Sequence, residues 1–124
     1  MTDPGYLLSV YLHLAQASLR RRRPHVRDRL LVLAAQVAAS MQLDQLADYC
    51  RLLILQHNRH HLIGHWPTVE AAMGSDEFHS VLRQVQRRYP PEKAERMLDS
   101  LGIELGRERE SYYSDYEYAA ALLG

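Results

Sequence analysis

The chain has 124 residues, of which 47% are hydrophobic, and its 15 basic side chains balance 15 acidic ones. This length suits one core and is short for two domains. The balanced charge gives no general attraction to nucleic acid or to a membrane surface. Cys50 is the only cysteine, which excludes an internal disulfide and predicts a reducing, cytoplasmic location.

Apolar residues recur at the helical period of 3.6 along most of the chain, and no segment alternates at period two for more than a few residues. We therefore predict an all-α fold, a single-domain antiparallel helical bundle of five to seven helices. Short links between the first three helices favour antiparallel neighbours. The predicted core helices cover residues 4–21, 25–40, 44–63, 75–89 and 91–101, with a short helix at 67–73 and a tyrosine-rich helix at 110–123.

Four histidines lie within the stretch QHNRHHLIGHW, residues 56–66. On a helical wheel His57 falls in the middle of the apolar stripe that Leu46 and Ile54 share, and two further imidazoles flank it. If the third helix continues to residue 63, its buried side therefore carries histidines where aliphatic residues would be expected.

The first interpretation of this run is a contact surface. Imidazole is amphipathic and intermediate in burial, so it suits the edge of a groove or a subunit contact. We expect the protein to bind itself or another protein, through a contact that weakens below about pH 6 when clustered imidazoles become charged. The candidate interface residues are His57, His60, His61, His65, Trp66, Tyr112, Tyr113 and Tyr116.

The second interpretation is a metal site. His57 and His61 have the i, i+4 spacing that brings two imidazoles to one ion from one face of a helix. His79 is the candidate third ligand, and zinc or another divalent transition metal is the candidate ion. Without such a site, the sequence predicts no cofactor.

The third interpretation concerns the arginine-rich turn RRRRPHVRDR, residues 20–29. Arginine forks bind phosphates, which makes a nucleic-acid accessory protein a further alternative. The turn lacks the stacking aromatics that usually accompany such binding, and positive charge also suits a helix C-terminus. The candidate anion-binding residues are Arg20, Arg21, Arg22, Arg23 and Arg27.

The C-terminal stretch ESYYSDYEYAAALLG, residues 110–124, carries an apolar and aromatic stripe. It either folds back to close the bundle or binds a groove on another molecule. No phosphate-binding glycine loop, nucleophile elbow or Cys–His signature is present in the sequence. We therefore expect a binding protein rather than an enzyme, with Cys50 as an inert buried thiol.

Overall fold

The computed structural model describes residues 3–103, which form six α-helices and one 3₁₀ turn and contain no β-strand. This confirms the predicted all-α bundle for the described part of the chain. The predicted helix at 110–123 lies outside the described residues. The helices are α1 (Pro4–Arg20), α2 (Pro24–Ser40), α3 (Asp44–His57), α4 (Val69–Met73), α5 (Asp76–Arg88) and α6 (Pro91–Ser100), with the 3₁₀ turn at Leu62–His65.

Two turns of the same geometry connect α1, α2 and α3. Each turn contains one residue in the left-handed region, Arg22 with φ 59° and Gln42 with φ 62°. The next amide donates back into the helix just completed, from Arg23 to the Ser18 carbonyl at 2.8 Å and from Leu43 to the Ala38 carbonyl at 2.9 Å. Such tight reversals place consecutive helices side by side and antiparallel.

Helix α2 is the central element, and it packs against α1, α3, α4 and α5. Its residues 30–35 are at most 1% exposed, so this segment is apolar and buried on every side. Helix α6 covers α1, and the Tyr11 hydroxyl of α1 donates to the Tyr89 carbonyl at 2.9 Å, just before α6 begins. Between residues 3 and 103 no helix combines the length and apolar character needed to cross a bilayer.

The predicted extent of the third helix, 44–63, was wrong, because α3 ends at His57. Asn58 is extended, with φ −135° and ψ 91°, and its side-chain oxygen accepts from the His60 amide at 3.2 Å. Nδ1 of His61 accepts from the Ile63 amide at 3.1 Å and so caps the 3₁₀ turn. Polar side chains that bond nearby amides compete with the helical ladder, and the turn buries Ile63 completely.

Gly64 lies within the 3₁₀ turn. A Cβ atom at this position would stand 3.0 Å from a terminal methyl group of Leu55. Glycine therefore permits the close approach of the turn to the end of α3.

Candidate metal centre

A buried carboxylate lies where the first turns of α2 meet the last turn of α3. Asp28 is only 4% exposed, and its Oδ2 is 2.5 Å from Nδ1 of His57. Because an ionised carboxylate only accepts hydrogen bonds, the proton of this bond sits on Nδ1 of His57. A buried charge is costly without partners, so the contact fixes α3 against α2.

Arg27 supplies the second partner of this carboxylate. Its guanidinium donates to Oδ1 of Asp28 at 3.3 Å and to the Leu53 carbonyl of α3 at 3.1 Å. The Arg27 side chain is 12% exposed, and its Nε–H is buried without a hydrogen-bond partner among the described residues. Arg27 is therefore engaged inside the fold, unlike the exposed arginines before it.

His25 completes the cluster from the first turn of α2. Its ring meets the His57 ring edge to face, with centroids 5.3 Å apart. One ligand atom from each of His25, Asp28 and His57 lies within 4.8 Å of the other two. Neighbouring ligands of a tetrahedral zinc ion are about 3.4 Å apart, given bonds of ~2.1 Å. The three ligand atoms lie up to 4.8 Å apart, so coordination would require them to move closer together.

The predicted pair of His57 and His61 is not formed as an i, i+4 pair, because the helix ends between them. His61 is half-buried and bonds its own turn through Nδ1. Burial lowers the pKa of His61, and the nearby Asp28 carboxylate opposes this change. His61 therefore favours a neutral ring in the fold and lies outside the three-residue cluster.

His79 was predicted as a third ligand, but its Nε2 is 2.6 Å from the Met73 carbonyl, which ends α4. A carbonyl accepts, so Nε2 carries the proton, and the ligand atoms of His79 do not converge with those of the other candidates. The structure therefore assigns His79 to the contact between α4 and α5 rather than to the cluster of His25, Asp28 and His57.

The predicted docking face does not exist as one side of a continuous helix. His60 and His65 are exposed on the irregular segment after α3, while His57 faces Asp28. Trp66 is half-buried, its ring packs on Phe78 with centroids 5.6 Å apart, and its carbonyl accepts from Nε of Arg51 at 3.1 Å. This tryptophan therefore packs on the core, and its ring also lies beside that of His65, with centroids 5.9 Å apart.

The exposed arginines form a separate positive region at the turn between α1 and α2. This region contains four of the five candidate anion-binding residues, Arg20, Arg21, Arg22 and Arg23. It puts four positive charges at one end of the bundle. The candidate interface residues Tyr112, Tyr113 and Tyr116 lie outside the described residues.

Cys50 lies fully buried in the core face of α3, as expected. Burial raises the pKa of its thiol to about 12, and a backbone hydrogen bond partly offsets this. The thiolate is the reactive form of cysteine, so Cys50 keeps its proton at neutral pH, and it lies outside the cluster of His25, Asp28 and His57.

No family model, curated protein or solved structure matches this chain. The site therefore has to be interpreted from its own chemistry. The sequence analysis identified His57 as a candidate ligand but not His25 and Asp28. Both of these residues lie within the arginine-rich stretch, which was interpreted as a charged turn. Their i, i+3 spacing at the start of α2 was the available signal, together with the position of Asp28 three and four residues before the buried Leu31 and Val32.

Proposed function

We propose that this is a metal-binding helical protein that holds a divalent transition metal between His25, Asp28 and His57. The observation that supports it is the convergence of one buried carboxylate and two imidazoles from two helices within 4.8 Å. Of the three residues, Asp28 is buried, and His25 and His57 are exposed. Two nitrogen ligands and one oxygen ligand suit zinc, whose catalytic sites commonly use three protein ligands.

The metal would connect the start of α2 to the end of α3, where Asp28 already bonds His57. Three protein ligands leave a fourth position for water or for a small ligand. We place this binding in the cytoplasm as part of the same proposal, since the single thiol of Cys50 fits a reducing compartment. Binding to a second copy or to another protein through the histidines stays a separate prediction, without the continuous helical face first expected for it, because α3 ends at His57.

Calorimetric titration of untagged protein with zinc chloride tests the proposal. We expect one zinc ion per chain, and we expect His25→Ala and His57→Ala each to weaken binding at least tenfold. Cobalt substitution adds a spectroscopic measurement, because tetrahedral Co²⁺ with mixed nitrogen and oxygen ligands absorbs visible light strongly.

His60→Ala and His65→Ala are the matched controls, since both rings are exposed and neither belongs to the cluster. They should retain the affinity of the unmodified protein. Equal affinity in the His25→Ala and His57→Ala variants, or loss of binding only in the two controls, would refute the proposed site.

A further inference from the structure

A groove of about 220 Å³ lies where the ends of α1 and α6 meet the beginning of α2. Its floor is apolar and comes from all three helices, with Leu14 from α1, Val26 from α2, and Met97 and Leu101 from or beside α6. The groove differs in chemistry from the cluster of His25, Asp28 and His57, because no histidine or carboxylate lines it.

The rim of the groove is positively charged. Arg21 and Arg23 line it directly, and Arg20 and Arg22 are exposed in the same turn. An apolar floor with a cationic edge selects a ligand that presents apolar or aromatic side chains together with carboxylates.

Two serine hydroxyls add hydrogen-bond acceptors to this surface. Ser18 donates to the Leu14 carbonyl at 2.8 Å and Ser100 donates to the Arg96 carbonyl at 2.9 Å, so each proton is engaged within its own helix. Each oxygen keeps lone pairs for an external donor. A tyrosine matches this arrangement, because its ring is apolar and its hydroxyl can donate.

The described chain ends beside the groove. Gly102 is left-handed, with φ 71°, and the Ile103 amide donates to the Leu98 carbonyl at 3.1 Å. This is the hydrogen-bonding pattern that reverses a chain at the end of a helix. The following segment therefore starts at residue 104, three residues beyond Leu101, which itself lines the groove.

We propose that residues 110–124 of the same chain occupy this groove, with their tyrosines on its floor and their carboxylates against the arginine rim. The segment has three acidic residues, Glu110, Asp115 and Glu117, and no basic one. Its apolar stripe contains Tyr112, Tyr113 and Tyr116. Charge and side-chain chemistry thus match the groove on both counts.

The length of the connection supports binding within one molecule. Residues 104–109 can span at most ~20 Å at 3.3–3.6 Å per residue, which suffices because the starting point adjoins the groove. A tethered segment also has an effective concentration on the order of millimolar. Binding in cis is therefore favoured over capture of the same segment from a second molecule at ordinary protein concentrations.

Disulfide trapping in the full-length chain tests this proposal. The variant Ser100→Cys/Tyr116→Cys places one thiol at the groove and one in the C-terminal segment, and native Cys50 is buried and unreactive. Mild oxidation should give a monomeric cross-linked species at least ten times faster than in Ser40→Cys/Tyr116→Cys. Ser40 is an exposed control at the other end of α2, about 20 Å from Val26 at 1.5 Å per residue.

A second pair, Arg23→Cys/Tyr113→Cys, repeats the measurement should the first variant fold poorly. Equal rates in the groove and control pairs would overturn the proposal. A cross-linked dimer without cross-linked monomer would overturn binding in cis and assign the groove to a second copy.

Charge reversal tests the arginine rim independently. Arg21→Glu added to the trapping variant should slow cross-linking at least threefold, and high salt should do the same in the unreversed variant because it screens exposed charges. Arg83→Glu on the exposed side of α5 is the matched control and should leave the rate unchanged. Identical slowing by both reversals would contradict a specific role for the rim.

Discussion

The two halves of α2 differ in the chemistry of the side chains that they bury. The C-terminal half, from Leu30 to Ala38, contributes apolar side chains to the centre of the bundle. The N-terminal half buries Asp28 to 4% exposure. Apolar burial stabilises the fold whatever the neighbours' charge, whereas a buried carboxylate depends on particular partners. We therefore expect a substitution in the apolar half to lower the free energy of unfolding equally with and without metal. A substitution of Asp28 should have an effect that depends on metal.

The largest expected effect is in the apolar half. Leu33→Ala should lower the free energy of unfolding by about 2–5 kcal/mol, since Leu33 is 1% exposed and its removal leaves a cavity. Zinc should leave this difference unchanged, because Leu33 is a core residue and does not belong to the cluster of His25, Asp28 and His57. Chemical denaturation with and without zinc measures both quantities.

Leu52→Ala is the matched control for that substitution, because Leu52 is 47% exposed on α3. It should change the free energy of unfolding by less than about 0.5 kcal/mol. A loss as large as that of Leu33→Ala would show that the described burial is incorrect.

The next effect is in the polar half. Asp28→Asn keeps the side-chain size but removes the charge that His57 and Arg27 share, so we expect a loss of about 1–3 kcal/mol without metal. Saturating zinc at about 100 times its Kd should stabilise the native protein by ~2.7 kcal/mol and should stabilise the variant much less. Thermal unfolding with and without zinc measures this difference.

Asp99→Asn on α6 is exposed and serves as the control for the loss of one carboxylate. It should retain the zinc response and nearly all of the stability. Should Asp28→Asn keep the full zinc response, Asp28 would be a structural ion-pair partner of His57 and not a metal ligand.

Much of the fold could be predicted from the sequence because the apolar residues of α1, α2, α5 and α6 follow a single helical period. The end of α3 could not. His57, His60 and His61 continue that period by position, yet Asn58 and His61 bond to nearby amides and end the helix. Periodicity records which face a residue would have in a helix, and it does not record competition from side-chain hydrogen bonds.

The candidate site was harder to predict for a different reason. Its ligands come from two helices whose ends are brought together only by packing, with His25 and Asp28 on α2 and His57 on α3. In the sequence, Asp28 appears as one acid within an arginine run, which suggested an exposed charged turn. Only the spacing of Asp28 to Leu31 and Val32 indicated a buried position.

Tyr11 is a buried polar residue without a charge, and it can be compared with the buried carboxylate of Asp28. Tyr11 is 3% exposed, and its hydroxyl donates to the Tyr89 carbonyl at 2.9 Å. Tyr11→Phe should lower the free energy of unfolding by about 0.5–1.5 kcal/mol at neutral pH, because one buried hydrogen bond is lost. Unlike Asp28→Asn, it should leave zinc binding intact.

Alkaline pH provides the second test of Tyr11. Burial raises the pKa of Tyr11 from 10.0 to about 12, with a smaller effect from Glu92. Between these values the unfolded chain has lost the proton and the folded chain keeps it, so stability falls as pH rises. The advantage of the native protein over Tyr11→Phe should therefore shrink from pH 10 towards 12. A constant difference would mean that the hydroxyl is solvated.

The smallest effect should come from His61, which lies beside the polar end of α2. Burial lowers the pKa of His61 below its ordinary value of 6.5. Just below pH 6.5 the unfolded chain therefore binds more protons than the folded chain, and stability decreases as the pH falls. His61→Asn should weaken this pH dependence, and the asparagine keeps a side-chain acceptor for the Ile63 amide. Urea unfolding between pH 7.5 and 5.5 measures the pH dependence of stability. His60→Asn, on an exposed neighbour, should leave the dependence as it is. If both variants behave alike, His61 is fully solvated, and the polar end of α2 has no influence beyond the cluster of His25, Asp28 and His57.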